Sequence, residues 1–296
     1  MESLSRNHVS RLLRLRLCCA QASRLASFYE AALGFRQVAI EHLSGAHAKE
    51  ELGVGGRALR ITLALGEQRL ALVQFIDQPG SDYPDDATSS DLIFQHFAIV
   101  VADMPSAMKQ LRAVSGWTPI TASGPQQLPP SSGGVTAFKF RDPEGHPLEL
   151  MAFPVERMPV YWQDAPRGGP FLGIDHSAIS VSDVAQSMTY YQALGLKVSN
   201  RSINDDPAQA RLDHLRRPVV DVVSMSPDEG TPHLELLCYA GMDGRSPLQL
   251  QPNDVAATCM IFEVDDAADR CNPMIRATQN STDPDGHHLS LACSNG

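Results

Sequence analysis

The chain has 296 residues, of which 43% are hydrophobic and 20% charged, and acidic side chains exceed basic ones by 34 − 24 = 10. This balance suits one large or two ordinary globular domains. The acidic surplus argues against broad contact with nucleic acid or an anionic membrane, and no apolar run approaches the roughly 18 residues that cross a bilayer.

The first 25 residues are basic, but arginines interrupt each apolar stretch, which speaks against a secretory signal. A mitochondrial presequence is the alternative; the arginine–leucine alternation up to Leu17 has the period of two of a strand and favours mature structure. The segment SFYEAALGFRQV from Ser27 then reads as an amphipathic helix end closed by Leu33-Gly34, followed by a strand. LGVGGRAL, around Gly53, is glycine-rich but lacks the strand–turn–helix setting of a phosphate loop. HFAIVVADMPSAMKQL, from His96, is an alternating strand, an aspartate placed to cap, and a helix with one apolar face through Met104, Met108 and Leu111. FRDPEGHPLELMAF, from Phe140, is a tight turn and an alternating strand, the glycine supplying the turn's positive φ.

These pieces recur. HSAISVSDVAQSMTYY starts at His176 and TYYQALGLKVSN at Thr189. CMIFEVDDAADRC starts at Cys259 and STDPDGHHLSLACS at Ser281. We read four units, at about 8–78, 90–155, 170–241 and 254–296, the last shortened. The stretch PVERMPVYWQDAPRGGP divides the chain into halves, 1–156 and 168–296. Each unit is strand, helix and up to three further strands, an α+β class with curved sheets. His146 and His287, after the turn glycines, are expected to shape the turns, and Trp117 and Trp162 to pack near connections. Cys18, Cys19, Cys238, Cys259, Cys271 and Cys293 form no CxxC pair, so they read as reduced thiols of a cytoplasmic protein.

Four polar residues stand out. Glu149 and Glu235 each lie between leucines in an apolar strand, and a carboxylate there is costly to bury unless it is paired or binds a cation. His96 and His176 open strands of the same units, at matching separations of 149 − 96 = 53 and 235 − 176 = 59 residues. Aligning Leu33-Gly34 with Leu194-Gly195 puts Leu15 at the His176 position, and the other unit-one and unit-four equivalents are Ala71, Cys259 and Ser290, so units one and four lack such groups. Cys259 is expected to be core.

The helix end [FY]Y-x-A-LG and the turn DP[ED]GH followed by an alternating strand together resemble the vicinal-oxygen-chelate superfamily of glyoxalase I, extradiol dioxygenases and bleomycin-resistance proteins, over nearly the whole chain. The resemblance implies tandem βαβββ units that pair into two curved-sheet cups. It also implies a metal held by a His or Gln from a first strand and a Glu from a last strand, hence His96, Glu149, His176 and Glu235. If units pair one with two and three with four, each cup holds one His and one Glu. If they pair one with four and two with three, as in single-chain four-unit glyoxalases, all four residues share one cup; this distribution is the simpler one.

Two imidazoles and two carboxylates suit Ni, Zn, Fe, Mn or Co. The chemistry implied is that of a glyoxalase-like lyase or isomerase acting on a small vicinal-oxygen substrate through an enediolate, with Glu149 or Glu235 as general base. No glutathione-binding signature is evident, and another hydroxy-carbonyl compound or a CoA thioester would also suit. The alternatives are an iron-dependent extradiol-type dioxygenase, against which Cys259 and Ser290 count in the usual unit-four places, and a non-catalytic small-molecule binder.

Overall fold

The structure, a computed structural model, describes residues 8–165, 168–242, 249–265 and 279–293. Unit one comprises β1 (His8–Cys18), α1 (Ala22–Leu33), β2 (Arg36–Leu43), α2 (Gly45–Leu52), β3 (Ala58–Leu65) and β4 (Gln68–Phe75). Unit two comprises β5 (Gln95–Val101), α3 (Met104–Arg112), the short β6 (Thr118–Pro119) and β7 (Gln126–Gln127), β8 (Thr136–Arg141) and β9 (Pro147–Ala152). After α4 (Val160–Gln163), unit three follows with β10 (Phe171–Ser180), α5 (Val184–Ala193), β11 (Lys197–Asn204), α6 (Pro207–Leu212), β12 (Val220–Ser226) and β13 (His233–Tyr239). Unit four contributes β14 (Cys259–Asp265), β15 (Gln279–Thr282) and β16 (His288–Cys293). The helix expected after β14 lies outside the described residues.

The local rules read from the sequence operate as chemistry demands. Asp103 and Asp183 cap α3 and α5 by accepting hydrogen bonds from backbone N–H groups of Ser106, and of Ala185 and Gln186. Gly34 closes α1 at φ 71°. No described helix is long and apolar enough to cross a membrane.

The strands form two mixed sheets. One has the order β15-β16-β14-β1-β4-β3-β2, and the other β11-β12-β13-β10-β5-β9-β8-β6, with β7 beside β8. Unit one thus shares a sheet with unit four, and unit two with unit three. The seams are the antiparallel pairs β1–β14 and β5–β10. Alternation then sorts the side chains. Phe97, Ile99, Leu148 and Leu150 of the second sheet and Leu15, Leu17, Leu70 and Leu72 of the first join Leu25, Tyr29, Met108 and Leu111 of α1 and α3 in the main core. The opposite face of each sheet, called inner below, carries the intervening residues.

The recurring motifs are one another's partners. Tyr29 on α1 donates to Asp142 in the first Asp-Pro-acidic-Gly-His turn (3.0 Å), and Tyr191 on α5 donates to Asp283 in the second (3.0 Å). Glu144 accepts from the N–H groups of Ala20 and Gln21 at the entry to α1, and Asp285 accepts from that of Ser182 before α5. His146 bonds Asp142 (2.8 Å) and the Cys18 carbonyl (2.9 Å), and His287 bonds the Ser180 carbonyl (2.8 Å). Gly145 and Gly286 both sit at φ 94°. These histidines therefore shape turns, as expected, and each turn locks the second unit of a half onto the first.

Candidate metal centre

The β5–β10 seam brings the four singled-out residues onto one inner face. Across it, Ala98 stands opposite His176 and Ala178 opposite His96. Ala98 also lies beside Glu149 and Ala178 beside Glu235 in the parallel pairs. Each alanine thereby leaves room between larger polar groups. His96, His176 and Glu149 are buried and Glu235 is partly so. The His96 and His176 ring centroids are 5.9 Å apart.

His96 Nε2 lies 3.1 Å from Glu149 Oε2, and His176 Nε2 lies 3.6 Å from Glu235 Oε2. Donor atoms of His96, Glu149 and His176 all fall within 4.8 Å of one another. Among the described residues the fully buried His96 ring has no well-formed hydrogen bond, and only the 3.1 Å approach of Glu149 Oε2 to its Nε2 serves it. An orphaned imidazole is costly. Donors bound at about 2.1 Å to one ion lie roughly 3.0–3.4 Å apart, the spacing His96 and Glu149 have. The residues therefore fit a divalent ion.

Electrostatics separate the two imidazoles. Burial, helped by the Lys139 ammonium, pushes His96 down to about 4, so its ring is neutral and offers a lone pair. For His176 burial acts in the same direction, but Glu235, Asp175 and Glu149 outweigh it and lift the ring to about 9. Burial alone would raise both glutamates. His96 and Lys139 hold Glu149 below its usual value, and His176 and His233 hold Glu235 far below it.

Further residues complete the arrangement. Asp175 accepts from His176 Nδ1 (3.0 Å) and from the indole of Trp162 (2.9 Å), turning His176 Nε2 toward Glu235. His233 stands 3.6 Å from Glu235 Oε1, and Ser224 donates to that oxygen (3.0 Å). Lys139, opposite Glu149 on β8, is 3.9 Å from its carboxylate and is bonded at 2.7 Å to Asp213. Asp213 also accepts from Gln209 (2.6 Å) and Tyr239 (3.1 Å). Lys139 and His233 were findable by the rule that singled out the glutamates. Lys139 lies between phenylalanines in TAFKFR, and His233 precedes Glu235 by two on the same face. Asp213 gave no such signal, because it reaches the site from the loop after α6.

Strand register puts Arg14, not Leu15, in the His176 position: Ala71 pairs with Arg16 as Glu235 pairs with Ala178, and the histidine position is two residues earlier. The slip arises because α1 spans one residue more than α5 between its start and the Leu-Gly pair. Cys259 is buried on the other sheet, 3.5 Å from Ser290, away from this centre.

The family model of the Glyoxalase/Bleomycin resistance protein/Dioxygenase superfamily matches residues 7–150. Glyoxalase I from Zea mays is similar in structure, with TM-score 0.58 and 16% identity, covering 95% of this chain and 91% of its own. A Bacillus subtilis subsp. subtilis str. 168 protein provisionally described as a dioxygenase has TM-score 0.57 and 10% identity, covering 98% and 87%. No curated protein sequence matches. Residues 7–150 match that family model, and the whole chain shares the fold of these solved structures.

Proposed function

We propose that the chain is a metal-dependent lyase or isomerase acting on a small substrate with oxygens on adjacent carbons. The observation that carries this reading is the convergence of His96, Glu149 and His176 donor atoms within 4.8 Å, with Glu235 beside His176. A divalent ion held there, whether Ni, Zn, Fe, Mn or Co, supplies Lewis-acid polarisation of the substrate oxygens. His96, Glu149 and His176 are the holding residues. Glu235 is the general base: it lies outside the compact three-donor group, and its side chain is 20% exposed against 9% for Glu149. Ser224 steadies one oxygen of Glu235, so the other is free to take a proton from one carbon and return it to the next. Lys139 adds a fixed positive charge on the Glu149 side, where it favours negative charge developing on a substrate oxygen.

One observation favours a second reading. The compact group is two histidines and one carboxylate, the set that iron-dependent ring-cleaving dioxygenases use. Reconstituting chelator-stripped protein with each ion separately distinguishes the two. Oxygen-independent interconversion of hydroxy-carbonyl substrates, with deuterium taken up from solvent, supports the lyase or isomerase and is lost in Glu235→Gln. Iron-specific oxygen uptake with catechols supports the dioxygenase. Binding of no ion under any of these conditions removes both and leaves a non-catalytic binder.

A further inference from the structure

The sheet shared by units one and four repeats the geometry of the metal centre with opposite charge. Where units two and three carry His and Glu, this sheet carries Arg14, Ala71, Cys259 and Ser290 by register. Arg16, beside Ala71, takes the place that Ala98 and Ala178 hold on the other sheet. Arg60 of β3 joins them, and Arg16 and Arg60 are only 3% and 9% exposed.

Their partners do not use all their donors. Arg60 makes two 2.8 Å bonds to Glu41 and also bonds Glu51. Arg14 Nη2 is 3.8 Å from Glu51, and Arg16 Nη1 donates to the Glu51 carbonyl oxygen (3.2 Å). The Nε groups of Arg14 and Arg16 are buried with no acceptor among the described residues. Arg11 nearby is matched separately by Glu263. Among the described residues, three guanidinium groups thus face two carboxylates, leaving one positive charge in excess. Burial and the neighbouring Arg60 charge push the Arg14 pKa down, as expected of crowded cations. A cavity of about 20 Å³ is lined by Arg14, Arg16, Glu51, Arg60, Ala71 and Ile261. A water needs roughly 10–15 Å³, so the cavity has room for an ion of about that size.

We propose that the inner face shared by units one and four binds a monovalent anion of halide size at the unmatched N–H groups of Arg14 and Arg16. The anion supplies the missing acceptors and the missing charge together. Units two and three hold donors for a cation; units one and four hold donors for an anion.

The test replaces potassium gluconate with potassium chloride or bromide at constant ionic strength while the melting temperature of the full chain is followed. A saturable rise of about 2–4 °C is expected at ten times Kd. It should be larger in Glu51→Gln, which removes a competing carboxylate, and absent in Arg16→Met. A flat response in the native protein, or an equal response in Arg16→Met, overturns the proposal. Diffraction from bromide-grown crystals of the native chain tests it independently of how the variants fold. An anomalous peak within hydrogen-bond reach of Arg14 and Arg16 supports the site, and its absence at saturating bromide refutes it. Neither result depends on metal binding by the other sheet.

Discussion

Asp175 would act at one remove from an ion held by His96, Glu149 and His176. By taking the Nδ1 proton of His176 it fixes which nitrogen faces Glu235, and Trp162 fixes Asp175 in turn. Loss of such an outer partner lowers metal affinity by roughly 10–100-fold, and Asp175→Asn should fall in that range in a competition titration against a chromogenic chelator. Wild-type affinity in the variant would mean that packing alone orients the ring. Asp213 has a different task. It is fully buried and neutralises Lys139, so Asp213→Ala strands an ammonium in the interior. Breaking a buried pair from one side costs about 3–5 kcal/mol. Chemical denaturation should register that loss, whereas the double variant Asp213→Ala with Lys139→Met should recover most of it. The four residues first singled out were legible because a carboxylate between leucines and a histidine within a buried strand break the apolar pattern. Lys139 breaks the pattern equally, but a lysine reads more readily as a solvated end. Asp213 breaks no pattern, because loops are polar anyway.

At the scale of elements, the Asp-Pro-acidic-Gly-His turn explains why its letters recur. Asp142 receives Tyr29, Glu144 receives the entry to α1, and the glycine makes the bend. His146 has an acceptor at each ring nitrogen, a carboxylate and a carbonyl, so the imidazolium is the form that satisfies both. Burial opposes that charge, but Asp142 outweighs it and the pKa is raised. The sign follows: a pKa raised on folding adds stability that is complete below the unfolded value of about 6.5 and fades as the pH climbs through the folded value. Unfolding free energies of native protein and His146→Gln, measured from pH 5 to 9, should therefore differ most at the acid end and converge toward the alkaline end. A gap that widens with pH would contradict this. The turn was visible in the sequence as a motif. Its partner Tyr29 was visible in another motif, but their meeting across 113 residues was not, since nothing local encodes it.

For the whole molecule, the halves and the sheets divide the chain differently. The linker separates units one and two from units three and four, while each sheet takes one unit from each half. The crosswise pairing could be argued from where the candidate ligand residues fall, because only it gathers two histidines and two glutamates. Register could not, as the Leu15–Arg14 slip shows: one extra residue in α1 moves the alignment by one and moves a side chain to the other face. Fragments 1–156 and 168–296 produced separately would each expose an unpaired apolar edge, β5 or β10, and should aggregate or associate. Mixing them should restore ion binding that neither shows alone. The most direct test of the centre is the metal content of purified full-length chain and of His96→Ala and His176→Ala, read by mass spectrometry under native conditions. One ion per chain, lost equally from both variants although their histidines come from different halves, is the predicted result. Full retention of the ion in either variant would contradict a centre shared between units two and three.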